Sequence, residues 1–272
     1  MYTAVMWLLK PKTLTVWKLT GETPLIALNK LRDRYPWLRN KKLAYAGRLD
    51  PMASGKMLVV VGKECRRMKR YLGLDKKYEV EILFGMASDT GDILGIVSSF
   101  PPPKITPEKV NRALRARVGE FNFPYPAYSS KTFDGKHLFQ WALEGRLNEI
   151  KIPLQHSRIY RAKLISVRTM STGDIVQSAL KQISMLPRVT EKSKALGRDF
   201  RRKDVIDSWM RVLANNKKEK YVIVRVSVLC SSGTYMRSLS EVIAHDLGTE
   251  GLAFSIKRTW IGKLWSRRFY GI

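Results

Sequence analysis

An aspartate at position 50 stands inside AYAGRLDPMASG, residues 44 to 55, fixed between Leu49 and Pro51 and flanked by Gly47 and Gly55. The glycines permit backbone conformations that other residues resist, and Pro51 steers Asp50 away from helical geometry toward an extended one. The stretch therefore displays a carboxylate on a stiff loop. Such a group is either an ionised nucleophile or base, or an Asp that caps a tight turn. Two other residues bear on the choice. Arg237, in SSGTYMR, falls in the first turn of a helix expected from near Thr234, where a cation opposes the helix dipole. It is either an exposed, unpaired charge or the holder of a distant carboxylate through a bidentate pair. Tyr78 lies at the start of an apolar strand face, as a core tyrosine or as a ring that stacks on a base.

The elements that must position these residues are read from periodicity. TLTVWKL, residues 13 to 19, reads as a strand, and Thr23 followed by Pro24 makes a cap and first turn for the helix PLIALNKLRDRY. MLVVV, residues 57 to 61, is followed by a basic helical stretch, ECRRMKRYL, and then by YEVEILF, where Tyr78, Val80, Ile82 and Phe84 share one strand face. The Pro-rich SSFPPPKITPE leads into the helical VNRALRARV. In YVIVRVSVL, Val222, Val224, Val226 and Val228 alternate, after which Leu239, Val242, Ile243 and Leu247 recur at helical spacing until Gly248. Strands and helices mix without βαβ regularity, which predicts one α+β domain over residues 1–272 around a largely antiparallel sheet. Residues 170–220 break the pattern. Two amphipathic helical stretches, DIVQSALKQIS and DVIDSWMRVLAN, flank the charged EKSKALGRDFRRK. This reads as a helical insertion, more readily a solvated surface pair than an RNA-binding elaboration.

Composition narrows the partners. Lys and Arg outnumber Asp and Glu by 50 to 23, a net charge of +27, in a chain that is 44% hydrophobic and 10% aromatic. A folded chain with such a field collects polyanions, and nucleic acid is the first partner to expect, ahead of an anionic membrane surface. Cys65 and Cys230 are too few for a disulfide framework or a zinc site. MYTAVMWLL lacks a basic n-region and a small-residue cleavage site, and no apolar run approaches a bilayer span, so the cytoplasm or an organellar matrix is the expected location.

Four ordered motifs resemble the TruB family of pseudouridine synthases, from about Lys18 to Trp265. The first is Gly47, Leu49, Asp50, Pro51, Ala53, Ser54 and Gly55; the second is Lys76, Tyr78, Gly85, Asp89, Thr90, Asp92 and Gly95. The third is PAYSSKTFDGKHLFQWALEGR, and the fourth combines CSSGTYMRSL with KRTWIGKL. The resemblance implies a pseudouridine synthase fold: a mixed, largely antiparallel sheet flanked by helices, with a thumb-like loop at about 125–146 and a helical insertion at about 170–220. It implies catalytic roles for Asp50 as the carboxylate, Arg237 as its ion-pair partner and Tyr78 as the ring against the target uracil. Substrate-binding roles follow for Tyr45, Arg48, Lys18, Lys131, Ile256 and Arg258. The implied reaction isomerises a uridine in structured RNA, most often the T-loop uridine of tRNA at position fifty-five. It needs no redox step or external donor, so no cofactor or metal is expected, and a monomer suffices. Rival readings are a non-catalytic RNA-binding or RNA-folding protein and a synthase acting on ribosomal RNA.

Departures from the family pattern are also legible. Tyr45 stands where the family has a histidine that helps extrude the base, Arg48 replaces a threonine, and Leu19 replaces a proline after Lys18. Arg48 makes GRLDP similar to the Arg-Leu-Asp loop of RluA-type synthases. The sequence runs only a few residues past Leu264, so no PUA-type domain is expected and grip on RNA falls to the catalytic domain.

Overall fold

The computed structural model describes residues 11–189 and 199–264. The expectations for MYTAVMWLL, for the first part of EKSKALGRDFRRK and for Trp265 lie outside the described residues.

The chain opens with β1 (Thr13–Lys18), α1 (Pro24–Arg34), β2 (Leu43–Ala46) and β3 (Ser54–Val61). Thr23 caps α1 as its composition predicts, its hydroxyl accepting from the Ile26 N–H at 3.2 Å. The basic stretch after β3 is only partly α-helical, a 3-10 turn at Gly62–Arg67 and then α2 (Lys69–Leu72). There follow β4 (Asp75–Phe84), β5 (Met86–Ser88), β6 (Val97–Ser99), α3 (Pro107–Ala116) and β7 (Gly119–Pro124). The thumb-like segment holds the short β8 (Thr132–Phe133), β9 (Lys136–His137) and α4 (Leu138–Leu143). The chain then runs through β10 (Leu154–Ser171), α5 (Thr172–Ser184), α6 (Arg202–Asn215), β11 (Lys220–Cys230), α7 (Met236–Asp246) and β12 (Gly251–Gly262).

One sheet in the order β1-β3-β12-β4-β11-β10-β7, with β2 beside β3, organises all of this. Every pairing is antiparallel except β12 with β3, so the sheet is mixed as expected. The parallel pair arises because the last strand inserts between β3 and β4, setting Arg258 opposite both Gly55 and Tyr78. Gly55 is obligatory there. Its φ is +115°, and a Cβ would meet the Arg258 carbonyl oxygen at 2.2 Å.

Alternation in β4 and β11 places the core. Tyr78, Val80, Ile82, Val224, Val226 and Val228 face a single large cluster, while Lys77 and Arg225 are exposed on the other face. Helices α3, α5, α6 and α7 cover that cluster with Leu114, Ile175, Trp209 and Ile243. Helix α1 covers a second cluster, where Leu28 and Leu31 meet Val59 and Val61 of β3. The pair α5 and α6 is thus not merely solvated. Its inner faces belong to the main core, Trp209 is fully buried, and its indole Nε1 donates to the Ile93 carbonyl at 3.1 Å.

Candidate active site

The loop between β2 and β3 has no ladder partners for its carbonyls, yet it packs close to the core, so those groups need donors from elsewhere. Two buried cations supply them. Lys18, at the end of β1, has no exposed surface, and its Nζ donates to the carbonyls of Ala53 at 2.5 Å, Leu19 at 3.0 Å and Pro51 at 3.3 Å. Arg258, 1% exposed, donates from Nε to Lys56 at 2.7 Å, from one Nη to Gly47 at 3.0 Å and from the other to Arg48 at 3.4 Å. Burial holds the Lys18 amine down to about 8, against the opposing pull of Glu22 and Asp50. Lys76 is similarly held to about 8 by burial and then by Arg258, and its Nζ donates to the carbonyl of Leu74 and to Ser232 Oγ.

Within this frame the Ala53 N–H donates to the Asp50 carbonyl at 3.0 Å, closing a turn with Pro51 at its second position. The turn presents Asp50 with 46% of its side chain exposed, and Oδ2 lies 3.1 Å from Arg237 Nε. Arg237 comes from the first turn of α7, as its position in SSGTYMR predicts, and its side chain is only 6% exposed. The expected bidentate fork to Asp50 is not what the structure shows. Nη1 donates to the Thr90 carbonyl at 2.8 Å and Nη2 to the Tyr128 carbonyl at 3.4 Å, which leaves Nε to face Asp50.

Nε also lies 3.6 Å from Oδ2 of Asp92. Asp92 is buried, its Oδ1 accepting from Thr90 Oγ1 at 2.8 Å and from the Leu94 N–H at 2.9 Å. Burial pushes its carboxyl up while Arg237 pulls it back. The Arg237 guanidinium is raised, burial being outweighed by Asp50 and Asp92. Asp92 had a sequence signal, the Asp89, Thr90, Asp92 run, although nothing in that run said which side chain it would meet. The carbonyls of Thr90 and Tyr128 had none, since any residue supplies one.

Tyr78 is 7% exposed and packs in the cluster that contains Leu49, Met52 and Ala53 of the Asp50 loop, and burial pushes its hydroxyl up. The structure therefore gathers Asp50, Arg237 and Tyr78 at one loop, from positions far apart in sequence. The residues expected to bind substrate divide into two groups. Arg48 and Lys131 are exposed. Arg48 donates to Ser130 Oγ at 3.0 Å, tying the Asp50 loop to the thumb-like segment, and Lys131 sits 5.1 Å from the Tyr125 ring centroid. Lys18, Arg258 and Ile256 lie inside instead. The two cations are struts under the loop, and Ile256 is 6% exposed in the core cluster, opposite Val80 of β4. Tyr45 is half-buried and packs against the α1 cluster of Leu28, Leu31 and Val59.

Among the described residues no group of three or more His, Cys, Asp or Glu side chains could hold a metal ion, and no helix is long and apolar enough to cross a membrane.

The model of the TruB family pseudouridylate synthase N-terminal domain matches residues 36–183, more than half of the chain. The chain belongs to the TruB family. The match takes in Asp50, Tyr78 and Asp92 and ends within α5, ahead of α6. Among curated relatives, tRNA pseudouridine synthase B of Ralstonia pickettii is 27% identical over 224 residues, 82% of this chain and 55% of that protein. The protein of the same name from Thermotoga maritima is 30% identical over 153 residues, 56% of this chain and 48% of its own length. The chain thus spans about half the length of the curated relatives it matches. The fold resembles that of a chain in the crystal structure of a Cbf5-Nop10-Gar1 complex, with a TM-score of 0.53 at 15% identity, covering 92% of this chain and 48% of that one. A chain in the structure of an H/ACA RNP bound to a substrate RNA containing 2′-deoxyuridine gives a TM-score of 0.50 at 14% identity, covering 91% and 46%.

Proposed function

We propose that the chain isomerises a uridine to pseudouridine in structured RNA, and that the T-loop uridine of tRNA, position fifty-five, is its substrate. The observation that carries the reading is the contrast between Asp50, 46% exposed, and the 6%-exposed Arg237 that meets it. A carboxylate open to solvent but aimed by a buried guanidinium is suited to act on a group that arrives from outside. Family membership and the tRNA in the relatives' names support the substrate class.

The target base first leaves its stack, at a cost of roughly a few kcal/mol. Contacts between phosphates and a surface of net charge +27 offset that cost. Ionised Asp50 then attacks the sugar or removes one of its protons. The N1–C1′ bond breaks, the uracil turns, and C1′ joins C5 as its bond to Asp50 breaks or as Asp50 returns the proton it took from the sugar. C5 releases its proton and N1 ends protonated, so atoms and electrons balance without a redox partner. Arg237 holds Asp50 in its reactive position, Tyr78 forms the floor against which the uracil lies, and Arg48 reaches the RNA from the loop's outer edge.

The test is to incubate the full chain with unmodified tRNA and sequence the product for pseudouridine. Conversion at one uridine is expected, lost in Asp50→Ala while RNA affinity stays within a few-fold of the parent, because phosphate contacts supply most of the binding. Tight binding of tRNA and ribosomal RNA without conversion of either would make the protein an RNA-binding one instead.

A further inference from the structure

The α5–α6 region reaches the catalytic pair through one side chain. Just before α6, Asp199, Phe200 and Arg201 all take positive φ, at 44°, 55° and 59°. Three consecutive residues with side chains rarely adopt this conformation, and it persists only where the surroundings hold it. Here they do. Asp199 accepts from the Val189 N–H at 2.8 Å and from Arg202 Nε at 2.6 Å. The Phe200 ring lies 6.2 Å from that of Phe139 in α4. Arg201 pairs with the Asp89 carboxylate, and its guanidinium carbon sits 4.5 Å from the Tyr128 ring centroid.

Those two partners border the acceptors that aim Arg237. Asp89 immediately precedes Thr90, whose carbonyl takes Nη1, and Tyr128 itself supplies the carbonyl that takes Nη2. We infer that Arg201 is a positioning residue for the Asp50–Arg237 pair: it fastens the Asp89–Thr90 turn to the thumb-like segment at Tyr128, and so fixes both carbonyls that orient Arg237. The inference rests on the reading of Asp50 as the reacting group. A direct phosphate contact is the competing use for an arginine so near the site. It is disfavoured because the Arg201 side chain is 15% exposed, its charge is met by Asp89, and its Nε is enclosed with no hydrogen-bond partner among the described residues.

The test uses Arg201→Ala and Arg201→Lys in the full chain, the second keeping the charge toward Asp89 while losing the planar group over Tyr128. With protein in excess over tRNA, the single-turnover rate should fall roughly 10- to 100-fold in Arg201→Ala and by less in Arg201→Lys. The dissociation constant for RNA should change by less than about two-fold, since no phosphate contact is lost. Asp89→Asn added to Arg201→Ala should cost little more, because the two act as one unit. The Nε–H proton signal of Arg237, identified by its loss in Arg237→Lys, should shift or broaden in both Arg201 variants. Weakened RNA binding with an unchanged saturated rate would overturn the inference in favour of a phosphate contact, and an unchanged Arg237 signal would overturn it outright. If the parent converts no uridine, the catalytic reading fails, and the Arg237 signal alone decides the positioning role. If Arg201→Ala does not fold, Arg201→Lys carries the same readouts.

Discussion

Residues 47–53 are held in place by four backbone carbonyls that accept hydrogen bonds from two buried cations, Lys18 and Arg258, whereas α5 and α6 are held chiefly by apolar side chains such as Ile175, Val205 and Trp209, with Arg202 donating to carbonyls at the end of α5 and just beyond it. The two attachments do different work. Apolar burial is non-directional and grows with area, so it stabilises a helix pair without aiming any atom. Hydrogen bonds to carbonyls are directional, and they set where Asp50 points. A region that must present a carboxylate is thus built around buried charge, at a cost in stability, and a region that must only adhere is built from Trp and Ile. Arg201 belongs to the second by sequence, while its contacts, to Asp89 and Tyr128, lie beside the carbonyls that orient Arg237 toward the first.

Four variants would break or sharpen this contrast. The largest effect is expected in Trp209→Ala, which opens a cavity in the main core and orphans the Ile93 carbonyl. Unfolding in urea should show a loss of about 3 to 5 kcal/mol, while turnover per folded molecule stays close to the parent. A negligible loss would mean that the helix pair is not docked as described.

Lys18→Met tests the cost of the buried charge. Lys18 is held at about 8 in the folded chain, below its ordinary 10.5. Below about pH 8 both states carry the proton, so the folded state bears the full burden of the buried ammonium. Between about pH 8 and 10.5 only the unfolded chain binds it, and stability rises with pH by on the order of 3 kcal/mol. Lys76, also held at about 8, adds a like rise. The buried Cys230 thiol, pushed up to about 12, lowers stability above about pH 9 in both proteins, so the difference between them isolates Lys18. Across this window the parent should gain on the order of 3 kcal/mol more stability in urea than Lys18→Met, and identical curves would show that the Lys18 charge costs nothing.

Arg237→Lys should lower the single-turnover rate about 100-fold, nearly as far as Arg237→Ala. A single ammonium cannot serve Asp50, Thr90 and Tyr128 at once, and small misplacements of a reacting group cost about this much. A fully active Lys variant would show that charge alone suffices and that the directional frame is unnecessary. The smallest effect is expected in Tyr45→Ala, where loss of a half-buried ring from the α1 cluster should cost about 1 kcal/mol of stability. Turnover on a folded tRNA and on a short single strand should then change equally. A defect larger on the folded RNA would restore the base-extrusion role that the family's histidine suggests for this position.

Much of the local structure was legible. The alternation in YEVEILF and YVIVRVSVL, the Thr23–Pro24 helix start and the Gly248 stop all appear at or within a few residues of the positions read from periodicity. The 18-residue strand β10 was not, because its exposed positions outnumber its buried ones and its bulges shift the register, so no clean period of two survives. The basic stretch 64–72 looked helical by composition, yet it makes a 3-10 turn and a single α-helical turn against β3.

By itself the sequence determined the residue types and the local frame of the chemistry: an aspartate before a proline between two glycines, an arginine in the first turn of a helix, and a tyrosine on an apolar strand face. Those depend on φ/ψ preferences and side-chain periodicity, which act over a few residues. Only the tertiary structure decided which donor meets which acceptor. Insertion of β12 between β3 and β4 turned Arg258 from an expected substrate contact into a strut, and burial did the same to Lys18. The carbonyls of Thr90 and Tyr128 took two nitrogens of Arg237 and left one for Asp50. Backbone carbonyls are alike in every residue, so which of them holds a cation is settled by where the folded chain brings them and by the cost of leaving a buried donor unpaired.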